Sequence, residues 1–212
     1  MINSIYTYPL IYLTSILVGI FSYQKFKHNK YLKLFLYFLI YTFFSEVIGN
    51  YVGRVLNVKN NIVYNTWNII NLLFLTYLFL SKINIYIKRI IVYILIVSFI
   101  FITLTNVLFY SNYIEDLLFK NNLLGKSIIV ILIIIYFSEI LENDAILNIK
   151  NSLFFWIALG VFLYNLAFLP AFTLIKYTSA FGMFKYITFG LNIVMHTCFI
   201  AGFILSKREF NK

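Results

Sequence analysis

A single cysteine, Cys198, stands in this chain of 212 residues, so neither an internal disulfide nor a thiolate metal cage can form. Histidine is limited to His28 and His196, and Asp and Glu together number seven. That is too few ligands for the usual zinc sites, so no metal and no cofactor is expected. Proline occurs only at 9 and 170. The chain has no G-x-S-x-G, H-E-x-x-H, Walker A or dinucleotide glycine pattern, which weighs against an enzyme. No basic residue precedes Lys25, so the first apolar run lacks the charged region of a signal peptide and reads as a retained helix. Charged residues make up only 11% of the chain, and no connection is long enough to form a soluble domain.

What is present is apolar. The sequence is 62% hydrophobic with a mean hydropathy of +0.90, against the ~45–50% of a soluble domain. A spanning helix needs ~20 mostly apolar residues. Seven runs approach that length: Ile5 to Tyr23, Leu34 to Gly53, Ile62 to Leu80, Ile90 to Tyr110, Leu123 to Leu141, Leu153 to Ile175 and Tyr186 to Leu205. The fold class that follows is all-α: one polytopic membrane domain over 1–212, a bundle of seven transmembrane helices.

The net charge of +10 would suggest nucleic acid in a soluble protein. Here the basic residues flank apolar runs and fit loops facing an anionic leaflet, so the expected partner is the bilayer and not nucleic acid. Alternating the connections between two sides puts Lys25, Lys27, Lys30, Lys33, Lys82, Lys88, Arg89, Lys150, Lys207, Arg208 and Lys212 on one side. Arg54, Lys59, Lys120, Lys176 and Lys185 fall on the other. The positive-inside bias makes the first side cytoplasmic, with the amino terminus outside, the carboxyl terminus inside, and the protein in the cytoplasmic (inner) membrane.

Polar side chains at membrane depth are expensive and mark interior faces. Glu46 lies deep in the second run, with Asn50 four residues on and sharing its face. Gly49 and Gly53 form a G-x-x-x-G pair suited to close helix packing. In the third run Asn65, Asn68 and Asn71 fall on one arc beside Trp67. In the seventh, Thr188, Asn192 and His196 form one stripe at spacings of four. Asn165 and Pro170 sit in the sixth run, where proline frees a carbonyl and favours a kink. A proton relay between Glu46 and His196 fits these residue types. Lys126 is expected to snorkel outward, the other reading being an inward turn that neutralises Glu46, and Glu139 and Glu142 are expected to mark a solvated helix end.

Under the proposed topology Glu46, Asn50, Asn65, Asn68, Asn106, Lys126 and Thr188 lie in the outer half. Asn71, Asn165, Asn192 and His196 lie nearer mid-depth. The pattern implies a polar pocket reached from outside, suited to sensing or transporting a small molecule. An oligomeric pore or effector that perturbs membranes in stress or phage defence, and an accessory subunit clamped to a partner membrane protein, are the other readings. Seven helices with an outside amino terminus invite comparison with microbial rhodopsins, but Tyr186 to Leu205 holds no lysine to carry retinal. Leu80-Ser81-Lys82 and Leu205-Ser206-Lys207 end the third and seventh runs alike. The three-plus-one-plus-three layout this suggests is similar to that of small sugar transporters, though neither proline here is followed by the glutamine of that family's Pro-Gln dipeptide.

Overall fold

The computed structural model describes residues 4–142, 144–178 and 181–211, with the side chains of 4–8, 144–147, 175–178 and 181 left aside. The first expected span at 5–8, the last residue of the sixth at 175, and Lys176 and Lys212 of the charge tally lie outside the described side chains. The described residues form seven α-helices and no strand: α1 (Ser4–Phe21), α2 (Lys30–Arg54), α3 (Asn61–Leu80), α4 (Tyr86–Phe109), α5 (Phe119–Leu141), α6 (Leu153–Thr178) and α7 (Phe181–Leu205). Six of them, α2 to α7, are long and apolar enough to cross a membrane. The described apolar part of α1, Pro9–Phe21, is shorter. The chain is thus a multi-pass integral membrane protein.

Several helices begin before their apolar runs, because the first turn carries interfacial polar residues that a hydropathy window leaves out. α2 starts at Lys30, where the Asn29 side chain accepts hydrogen bonds from the Tyr31 and Leu32 amides at 3.0 and 3.2 Å, an N-cap. α4 starts at Tyr86, just before Lys88 and Arg89, and α5 at Phe119, just before Lys120.

The chain divides into two compact units, residues 1–43 with 140–212, and residues 44–139. In the first, α6 and α7 run antiparallel in close contact. A Cβ on Gly160 would lie 2.9 Å from the Met195 carbonyl, and one on Gly202 2.5 Å from the Trp156 Cβ, so each glycine admits the neighbouring helix. α1 lies along α7 in the same direction: Tyr12 meets Asn192, Ser15 meets His196 and Gly19 meets Phe203. Phe26, Phe35, Phe199 and Phe203 pack edge-to-face or tilted, with centroids 5.2 to 6.3 Å apart, at one end. There Lys25 Nζ donates to the last carbonyls of α7, Phe203 at 3.1 Å and Ile204 at 2.5 Å, where a cation also suits the helix dipole. Asn211 completes this end by accepting from the Leu153 amide at the start of α6.

In the second unit α5 runs parallel to α3 and antiparallel to α4. Trp67 faces Lys126 and Phe79 faces Tyr136, whereas Thr103 meets Asn121 and Lys88 meets Glu139. α4 turns Ile87, Ile94, Val97, Phe101, Leu104 and Leu108 outward. Apolar outside and polar within is the polarity a bilayer imposes.

Candidate functional site

The most concentrated polar chemistry in the first unit sits where α1 meets α7. Asn192 and His196 of the stripe face α1, which answers with Tyr12 and Ser15, three residues apart and hence on one face. The Tyr12 hydroxyl donates to Asn192 Oδ1 at 3.1 Å, and Asn192 Nδ2 donates to the Thr188 carbonyl at 2.8 Å. The Tyr12 ring packs edge-on against the His196 imidazole, centroids 4.3 Å apart, and Phe199 closes the next side at 5.3 Å. His196 is 1% exposed. It precedes the end of α7 by nine residues, ~14 Å at 1.5 Å per residue, which is mid-depth in a ~30 Å hydrocarbon core.

The tautomer of His196 follows from its partner. Ser15 Oγ lies 2.7 Å from His196 Nδ1 and 2.9 Å from the Tyr12 carbonyl. A carbonyl only accepts, and a serine hydroxyl has one proton. Both contacts are hydrogen bonds at once only when that proton goes to the carbonyl and Nδ1 carries its own toward Ser15. Nε2 of the neutral ring then bears a lone pair, and this buried atom has no partner. An unsatisfied buried acceptor costs ~1–3 kcal/mol.

His196 also lines a groove of about 250 Å³ between α1 and α7, with Leu10, Ile11, Thr14, Ile193, Thr197 and Ile200. Leu10, Thr14, Ile193 and Thr197 are exposed, so the groove opens on the outer, apolar surface of this unit.

The chain matches no known family model, no curated protein and no solved structure.

The remaining sequence candidates are engaged in other ways. Asn165 is buried in α6; its Nδ2 donates to the Val161 carbonyl at 2.7 Å and its Oδ1 has no partner. In the second unit Glu46 Oε1 accepts from Asn50 Nδ2 at 3.0 Å, so the two form one polar pair on α2, both half-buried. Gly49 and Gly53 face the start of α3: Asn60 Nδ2 donates to the Gly49 carbonyl at 2.9 Å, and a Cβ on Gly53 would lie 2.6 Å from that nitrogen.

Asn65 is fully occupied by the connection before α5. Its Nδ2 donates to the Tyr113 and Asp116 carbonyls at 2.9 and 2.8 Å, and its Oδ1 accepts from the Leu118 amide at 3.1 Å. Asn68 is half-buried and Asn71 buried on the same helix.

Two charged residues depart from expectation. Lys126 does not snorkel outward; it is 3% exposed, with its ammonium 5.5 Å from the centre of the Trp67 ring, where cation–π attraction replaces part of its hydration. Glu139 is no solvated helix end; it is equally buried, accepts from the Asn84 amide at 3.0 Å and pairs with Lys88 at 3.6 Å. Tyr12, Ser15, Thr14 and Thr197 were missed by the sequence reading. The i, i+3 polar pair Tyr12/Ser15 in an otherwise apolar run was the available signal. Among the described residues no group of His, Cys, Asp and Glu could hold a metal ion.

Proposed function

We propose that this chain is a seven-span protein of the cytoplasmic membrane, amino terminus outside, that senses or transports a small molecule through an intramembrane site centred on His196. The carrying observation is the orphan Nε2 acceptor of a buried histidine that lines a groove. The topology draws support from the parallel course of α1 and α7, which requires an odd number of crossings between them, as α2 to α6 provide. It also draws support from the gathering of Lys25, His28 and Arg208 at one end of the first unit, Arg208 lying 2.8 Å from His28 Nε2.

The test is complementation. A deletion strain is screened for a growth or transport phenotype, then given the wild-type chain, Ile193→Trp, which fills the groove from an exposed position, or His196→Gln. Variants that insert normally but fail to complement support the reading; full complementation by both overturns it.

A second reading, self-association, is favoured by one observation. Gly182 and Gly190 lie two turns apart on α7 with open space where a Cβ would stand, a surface onto which another helix could pack closely. A second copy seated there predicts oxidative cross-linking of Gly190→Cys in a Cys198→Ser background; its absence in native membranes counts against that contact.

A further inference from the structure

The turn between α1 and α2 meets the segment after α7 at one end of the first unit, and basic residues dominate both. In residues 22–30 and 206–211, Lys25, Lys27, Lys30, Lys207 and Arg208 stand against one acid, Glu209. Lys25 is committed to the carbonyls that end α7. Arg208 is held differently. Its Nη2 lies 2.8 Å from His28 Nε2, and both residues are exposed. A guanidinium only donates, so His28 Nε2 accepts and the ring proton sits on Nδ1. Arg208 makes no other side-chain hydrogen bond or ion pair among the described residues. One corner of the fork is therefore fixed and its remaining N–H groups are unspent.

The turn that carries Arg208 is itself anchored. The Lys207 amide donates to the Asn151 carbonyl at 2.9 Å, and Asn211 accepts from the Leu153 amide at 2.9 Å. A donor presented from such a support loses less entropy on binding than one on a free tail. Arg208 lies three residues past the end of α7, and His28 two before the start of α2. With those helices spanning the bilayer, both fall in the headgroup layer. Phe21 at the end of α1, and Ile204 and Leu205 at the end of α7, expose apolar surface at the same end.

We infer that this end of the first unit binds an anionic phospholipid, its phosphodiester accepting forked hydrogen bonds from Arg208 and its acyl chains covering the exposed apolar ends of α1 and α7. A planar fork of donors matches two phosphate oxygens. A zwitterionic lipid brings its own cation, which the neighbouring lysines repel. Free phosphate has no chains to cover the apolar surface. His28 is a positioning residue that aims Arg208. The inference is independent of the His196 site.

Native mass spectrometry of the full chain in mild detergent tests it, with dioleoylphosphatidylglycerol, dioleoylphosphatidylcholine or inorganic phosphate added. The wild-type chain should retain phosphatidylglycerol at concentrations where the other two do not bind. Arg208→Gln should weaken that binding about tenfold, the loss of one charged hydrogen bond. Arg208→Lys should weaken it similarly, because lysine keeps the charge and not the fork. His28→Phe leaves the charge but not its aim and should cost about threefold, whereas His28→Gln, whose Oε1 can accept from Arg208, should restore the wild-type value. Lys59→Gln removes the same charge from an exposed site in the second unit and should change nothing.

Wild-type affinity in Arg208→Lys, or equal losses in Lys59→Gln and Arg208→Gln, would show attraction by net charge alone and overturns the site. Equal retention of phosphatidylcholine, or binding of inorganic phosphate alone, overturns the ligand class. Circular dichroism melts report folding; where Arg208→Gln melts early, the comparison of wild type with Arg208→Lys decides.

Discussion

Glu139 offers the sharpest test of how this chain stabilises its polar groups. α4 begins at Tyr86 with Ile85 in the capping position, and isoleucine has nothing to offer the first amides of the helix. Glu139 of α5 reaches this end instead: its Oε1 accepts from the amide of Asn84, which precedes the capping position, at 3.0 Å, and Oε2 lies 3.6 Å from Lys88 Nζ in the first turn of α4. The carboxylate therefore serves at once as hydrogen-bond acceptor, as anion at a helix N-terminus and as ion-pair partner.

Glu139→Gln keeps the acceptor and removes the charge. The hydrogen bond falls from the ~1.5–3 kcal/mol of a charged acceptor to the ~1 kcal/mol of a neutral one. The dipole contribution of ~0.3–1 kcal/mol is lost. The Lys88 pair adds at most ~1 kcal/mol, because the Lys88 side chain is 17% exposed and can reach water. The variant should thus lose ~2 kcal/mol. Glu139→Leu also abandons the Asn84 amide and should lose ~4 kcal/mol, in the range of other buried pairs broken on one side. Reversible unfolding in mixed dodecylmaltoside–SDS micelles, followed by circular dichroism, measures both. Equal losses for Gln and Leu would show that charge alone matters. A loss below ~1 kcal/mol for Leu would refute this role of Glu139.

Two further outcomes follow from packing within single units. Asn65→Ala removes three hydrogen bonds from the 113–118 connection, ~0.5–1.5 kcal/mol each, and should speed amide exchange at Leu118 and proteolysis of that connection while the helices stay protected. Gly202→Val forces a branched Cβ into Trp156 and Leu153, which a Cβ would meet at 2.5 and 2.9 Å; overpacking of this kind costs ~1–3 kcal/mol and should lower the melting temperature in detergent, with Gly182→Val as the unaffected control.

Helix number and apolar extent were legible in the sequence, because a bilayer requires long runs of one polarity and each run became one helix. Helix starts were less legible. Asn29 caps α2 five residues upstream of Leu34, the first residue of the predicted run, a local signal that hydropathy does not weigh. The fates of Lys126 and Glu139 were not legible at all. Whether a charge near a helix end meets water or a partner depends on Trp67 and Lys88, roughly fifty to sixty residues away in the chain. The arc of asparagines on α3 was real as a pattern, yet Asn65 spends its whole amide on the chain before α5, a pairing that no spacing within α3 encodes.

Polarity at membrane depth therefore does not separate groups whose hydrogen bonds are spent within the protein from groups with unspent capacity. Asn192, Asn65 and Asn121 are buried too, but each has a partner on both its oxygen and its nitrogen. Asn165 Oδ1 is unspent, but Asn165 does not line the α1–α7 groove. His196 combines a fixed ring, an orphan acceptor and a groove open to the apolar surface. A purely structural histidine at that depth gains nothing from leaving Nε2 bare, since a serine or threonine on the neighbouring helix would satisfy it. On the proposed reading the open acceptor of His196 costs stability, ~1–3 kcal/mol, which a structural role alone would not offset.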